Sequence, residues 1–128
     1  MEFRTDRPIY RQIIDYAFGC IIGGGWRPGE KVPSVRELAV ALAVNSHTVL
    51  KAYDHLQAQG IIISRRGMGF YLADDAPERV NAERREEFFS TTLADVFESM
   101  ESLGISIGEV LGRYESFKQS NFPAGKQP

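Results

Sequence analysis

Two helix-start signals stand eleven residues apart, at Ser34 and Asn45. Ser34-Val35-Arg36-Glu37 has the S-x-x-E form of a capping box, in which hydroxyl and carboxylate each satisfy a backbone N–H that the first helical turn leaves without a partner. Val35, Leu38, Ala39 and Leu42 follow as one apolar face, so a short second helix starts at Ser34. Asn45 or Ser46 can cap a third, with Val49, Ala52, Tyr53 and Leu56 as its inner face at i, i+3, i+4 and i+7 and Gly60 as its end. Only a turn of a few residues fits between the two, which is the helix-turn-helix plan.

The flanking segments complete that plan. Pro8 suits a first helical turn, and Ile9, Ile13, Ala17, Cys20 and Ile21 recur at helical spacing, predicting a first helix from about Pro8 to Ile22. Gly23-Gly24-Gly25 ends it, and Arg27-Pro28-Gly29 turns the chain with Trp26 packing back. After the third helix, Ile61 to Arg65 is short and β-branched, and Phe70-Tyr71-Leu72 returns beside it across a basic, glycine-rich tip. The hairpin is a wing added to the helix-turn-helix.

Asp74 to Glu78 resets the chain with a D-x-x-E box, predicting a long charged helix to about Leu103. In it Phe89, Leu93, Val96, Met100 and Leu103 form a heptad seam. Gly104 breaks the helix, and the box Ser106-Ile107-Gly108-Glu109 opens a last one with Ile107, Val110, Leu111, Tyr114 and Phe117 on its face. The expected fold class is mainly α with a small β-hairpin. Its expected parts are a winged helix-turn-helix over 1–75, a two-helix segment over 76–117 and an aperiodic, disordered tail over 118–128.

Composition narrows the function. At 128 residues the chain holds one domain plus a short appendage. Its one cysteine, Cys20, forms no internal bridge and reads as a small buried hydrophobe; with no charged-then-apolar leader, the expected location is the cytoplasm. No apolar run approaches the ~18 residues of a membrane span, so no membrane partner is expected. The net charge of −2 conceals a split: residues 1–73 carry +3 and residues 74–128 carry −5, so the surface compatible with a polyanion lies in the first part.

On the third helix, Asn45, Ser46, His47, Thr48 and Lys51 point away from the inner face, as side chains that reach base edges and phosphates must. Arg36, Arg65 and Arg66 add charge around them. Each of these taken singly is equally a solvated residue or a cap, but their combination at these spacings favours double-stranded DNA. A competing class is a winged helix that contacts protein or RNA without a DNA operator; it calls for an apolar or acidic outer face on the third helix. An enzyme lacks its parts. Gly23-Gly24-Gly25 precedes no G-K-[ST], Gly67-Met68-Gly69 is a hairpin tip, and no cofactor is implied. A metal site is not expected either, since His47 and His55 lie about 80° off a common helix face.

The segments Pro8-Ile9-Tyr10-Arg11-Gln12-Ile13, Pro28 to Ala39, Val44-Asn45, Thr48 to Tyr53, Leu56, Gly60-Ile61 and Arg66-Gly67-Met68-Gly69 resemble the winged-helix domain of GntR-family bacterial transcription regulators, over about Arg4 to Leu72. The resemblance implies DNA contacts by Arg36, by Asn45, Ser46, His47 and Thr48 early in the recognition helix, and by Gly67 of the wing; His47 departs in kind from the residues expected there. The remainder of the chain is similar to the short YtrA-like subgroup, whose C-terminal helices form the dimer and whose controlled genes often encode transporters. The resemblance therefore implies a homodimer on a palindromic operator, as a repressor. The seam asks for a partner independently: Phe88, Phe89, Leu93, Val96, Phe97, Met100 and Leu103, joined by Val110, Leu111 and Tyr114, would otherwise be exposed, unless the helix folds back on its own winged domain. A small-molecule effector, if one exists, would act on dimer geometry, from the groove between the winged domain and the C-terminal helices or by competing with DNA, with Asp74-Asp75-Ala76-Pro77 as the expected hinge.

Overall fold

The computed structural model describes residues 2–122. Its elements are α1 (Ile9–Ile22), α2 (Val35–Leu42), α3 (Ser46–Ala58), β1 (Ile62–Arg65), β2 (Gly69–Leu72), α4 (Ala76–Glu87), a π-helical segment (Phe88–Thr92), α5 (Leu93–Leu103) and α6 (Ile107–Asn121). The chain divides into two compact units between Arg85 and Glu86.

In the first unit α1 buries Ile13, Ile14, Ala17, Phe18 and Ile21. This stripe leaves Ile9 exposed in the first turn and Cys20 half-buried at its margin, so neither is the fully inward residue expected. Gln12 is buried instead. Its amide oxygen accepts from the Arg4 N–H at 2.7 Å, and its Nε2 donates to the carbonyls of Arg4 and Arg7 at 2.7 and 2.9 Å, so no lone polar group remains. Both halves of the α2 capping box form: Ser34 Oγ accepts from Glu37 N–H at 3.0 Å and Glu37 Oε1 accepts from Ser34 N–H at 2.9 Å. The Ser34 backbone N–H, and after it the Ser34 side chain, hold the Glu37 carboxyl below its ordinary pKa.

Ala43, left-handed at φ 56°, closes α2, and Asn45 opens α3 by accepting from the His47 N–H at 2.7 Å. The inner face of α3 is as the spacing predicts: Val49, Ala52, Tyr53 and Leu56 are all fully buried. The Tyr53 ring meets Trp26 and Phe70 edge-on, and its hydroxyl donates to the Pro33 carbonyl at 2.6 Å, tying α3 to the segment that opens α2. Burial pushes that phenol's pKa well up.

β1 and β2 pair antiparallel, with Ile62 opposite Leu72 and Arg65 opposite Gly69. Residues 29–32 add an outer ladder to β2, through Gly29 N–H to Leu72 O, Leu72 N–H to Glu30 O and Val32 N–H to Phe70 O. By sequence the start of this stretch reads as a turn only.

The expected boundary after residue 75 and the expected hinge there fit the packing poorly. Ala76 and Val80 are fully buried in the first unit's core. Arg79 donates to Asp75 at 2.9 Å and to the Gln59 carbonyl at 3.3 Å. His55 Nε2 lies 2.9 Å from Glu83 Oε2, and the Arg84 guanidinium covers the Phe18 ring at 5.6 Å. These contacts seat the first ten residues of α4, 76–85, on the winged body. Gly60 is required beneath them, because at φ 72° a Cβ would also come within 3.0 Å of Arg79.

In the second unit the expected uninterrupted helix to Leu103 is broken in type by the π-helical segment Phe88–Thr92. A π-helical turn holds more residues than an α-helical one, so the heptad spacing expected between Phe89 and Leu93 is not that of a regular α-helix. Gly104, left-handed at φ 67°, ends α5. Ser106 caps α6 by accepting from the Glu109 N–H at 3.2 Å, and α6 continues to Asn121, so the aperiodic tail expected from residue 118 does not begin there. Residues 123–128 of that tail lie outside the described residues. No described residue from Glu86 to Phe122 is buried.

Candidate nucleic-acid interface

The N-terminal turn of α3 carries most of the expected readers. Asn45 spends its Oδ1 on the cap, leaving Nδ2 as its donor. Ser46 and His47 are exposed and Thr48 is half-buried, whereas Leu50 adds an exposed apolar side chain to this outer face. Lys51, one turn further, is exposed, and its ammonium lies 4.1 Å from the centre of the Tyr10 ring on α1. Arg11 approaches the same ring, its guanidinium carbon 5.7 Å from the centre. α2 and β1 both pack on α3, which places the turn bearing Arg36 and the wing on the same body. Arg36 is exposed in the first turn of α2.

The wing tip is built for close approach. Met68 N–H donates to Arg65 O at 2.8 Å, closing a turn in which Gly67 stands at φ 73°. Arg66, Gly67 and Met68 are exposed there, and the Arg65 guanidinium rests 4.3 Å from the Tyr71 ring centre. A Cβ on Gly69 would come within 3.0 Å of Lys31, so Lys31 lies against the wing. Sequence reasoning missed Tyr10, Arg11, Lys31 and Tyr71 as members of this surface. Their cationic and aromatic character was visible, but the pairing across elements was not.

His55, set aside as a metal ligand by its angle to His47, is engaged by Glu83. Among the described residues no helix is long and apolar enough to cross a membrane.

A helix-turn-helix whose second helix presents a polar N-terminal turn, backed by a basic hairpin, is a winged-helix nucleic-acid reader. The model for bacterial regulatory proteins of the gntR family matches residues 9–72, and the chain belongs to that family. It is 31% identical over 118 residues to the HTH-type transcriptional regulator YhcF of Bacillus subtilis (strain 168), covering 92% of this chain and 96% of that one. It is 45% identical over 73 residues to the HTH-type transcriptional repressor YtrA of the same organism, covering 57% of this chain and 56% of that one, and is YtrA-like in this region. Among solved structures, the DNA-binding domain of AraR in complex with operator ORR3 matches with a TM-score of 0.51 and 33% identity, over 57% of this chain and 86% of that one. The protein is thus a DNA-binding transcription regulator of a non-enzymatic family.

Proposed function

We propose that this regulator acts as a homodimeric repressor on a palindromic operator. The observation that carries the dimer is the second unit: no described residue from Glu86 to Phe122 is buried, while ten large apolar side chains between Phe88 and Phe122 are exposed. α5 and α6 are too short to be stable in water without a covered apolar face. A second copy covers that face by two-fold symmetry, through Phe89, Leu93, Val96, Phe97, Met100 and Leu103 and, on α6, Val110, Leu111 and Tyr114.

Two winged units then meet two half-sites. Asn45, Ser46, His47 and Thr48 reach base edges in the major groove, and Arg36 reaches a guanine or a phosphate. Lys51, Arg65 and Arg66 neutralise phosphates, and Gly67 lets the wing backbone approach the duplex. Occupancy of a promoter-proximal operator blocks transcription, as the repressor name of the YtrA relative suggests, and a transporter operon is the target that the resemblance to the YtrA-like subgroup implies. An effector, if any, acts by changing the relation of the two half-sites.

Light scattering on the full chain and on Leu93→Asp tests the dimer. The expected result is a dimer that the buried charge splits, with operator affinity lost in parallel because the half-sites no longer act as one intramolecular event. A wild-type monomer at micromolar concentration, or a Leu93→Asp protein that stays dimeric, contradicts it.

A further inference from the structure

The cations of the first unit keep different company. Away from the expected DNA surface Arg4 meets Asp6, Arg7 meets Asp15 and Arg79 meets Asp75, while Arg84 lies over the Phe18 ring. On that surface Lys51 lies over the Tyr10 ring and Arg65 over the Tyr71 ring, at 4.1 and 4.3 Å from the ring centres. No carboxylate among the described residues forms an ion pair with either.

The two arrangements differ in what they leave available. A carboxylate holds a cation by cancelling its charge, and must be displaced before a phosphate can take its place. An aromatic face attracts the cation through its quadrupole and carries no net charge, so the full positive charge remains for a phosphate. Both rings are half-buried: Tyr10 packs on the core cluster from the first turn of α1, and Tyr71 is held in β2 by its pairing with β1 at Ile63 and by the bridge to Lys31. Long, flexible side chains are thereby restrained before DNA arrives, which lowers the ordering cost of binding.

Resting on the reading of α3 and the wing as the DNA-facing surface, we propose that Tyr10 and Tyr71 are positioning residues for phosphate contact, holding the Lys51 ammonium and the Arg65 guanidinium in place without neutralising them. Neither tyrosine needs to touch DNA. The ring acts, not the hydroxyl.

The test is the affinity of the full chain for a random-sequence 30-bp duplex, measured by fluorescence anisotropy over a potassium chloride series, with thermal unfolding recorded for every variant. Tyr10→Leu is expected to weaken binding about three- to tenfold while Tyr10→Phe stays within about twofold of wild type. In a Lys51→Ala background, where about one unit of salt slope is already gone, Tyr10→Leu is expected to add almost nothing. Tyr71→Leu, Tyr71→Phe and Arg65→Ala form the same cycle on the wing, and keep the proposal testable should Tyr10→Leu fail to fold. Equal losses from Tyr10→Leu with and without Lys51, a Phe variant as weak as Leu, or tighter binding once the ring is gone would overturn it. A wild-type chain whose binding does not depend on salt instead defeats the DNA-facing reading itself, and this proposal with it.

Discussion

Asn45 uses one end of its amide to start a helix and leaves the other exposed, a double use that sets it apart from the other readers proposed on α3. His47 and Thr48 have no such structural duty among the side-chain hydrogen bonds described, so their replacement tests readout with little cost to the fold. Changing either to Ala is expected to cost ~1–3 kcal/mol on a selected operator and almost nothing on random DNA. Arg66→Ala is expected to weaken both alike and to lower the salt slope by about one unit. Equal losses on the two duplexes for His47→Ala remove it from the readers. Glu37 makes a second prediction, on stability. Its folded pKa lies below the ordinary 4.5, so its contribution is present above that value and is lost as pH falls through the folded one. Thermal midpoints of Glu37→Gln, which keeps the cap without the titration, should lose the part of the acid-side decline that Glu37 contributes; an unchanged acid profile would count against the linkage. Both caps were legible because their partners lie two or three residues apart. Tyr10 and Lys51 sit on different helices, and no local spacing announces their contact.

At the scale of elements, the periodic pattern located α1, α2, α3 and the hairpin, because each has enough apolar positions for its inner face to show. α4 has almost none. Only Ala76 and Val80 are buried in a helix otherwise rich in charge, and two buried positions among ten carry no visible period, so sequence alone puts the domain boundary ten residues before the division of the two units. The π-helical segment was also illegible, since its wide turn depends on backbone hydrogen bonding and not on any residue type in Phe88–Thr92. The seating of α4 predicts that a fragment ending at Arg85 is more stable to urea than one ending at Asp75, by roughly 2–4 kcal/mol for the restored burial of Val80 and its neighbours. Equal midpoints and slopes for the two fragments would show that 76–85 only rests on the surface.

The chain joins a winged unit with its own core to a second unit in which no described residue is buried. The charge split along the chain gave the first hint of this division, and the family match falls entirely within the first unit. Apolar spacing marked the second as a surface in need of a partner; it could not say how far α6 would run, because residues 118–121 extend the helix without an apolar period. The proposed dimer reads DNA twice, with its two recognition helices offset by about one turn of the duplex, ~34 Å, or a multiple of it. The decisive measurement is selection of duplexes from a random library by the full chain, followed by sequencing and by the mass of the complex with the winning duplex. The predicted result is an inverted repeat with half-site centres at that spacing, bound by two protomers. Enrichment of a single half-site bound by one protomer, or no enrichment over the starting library, would contradict it.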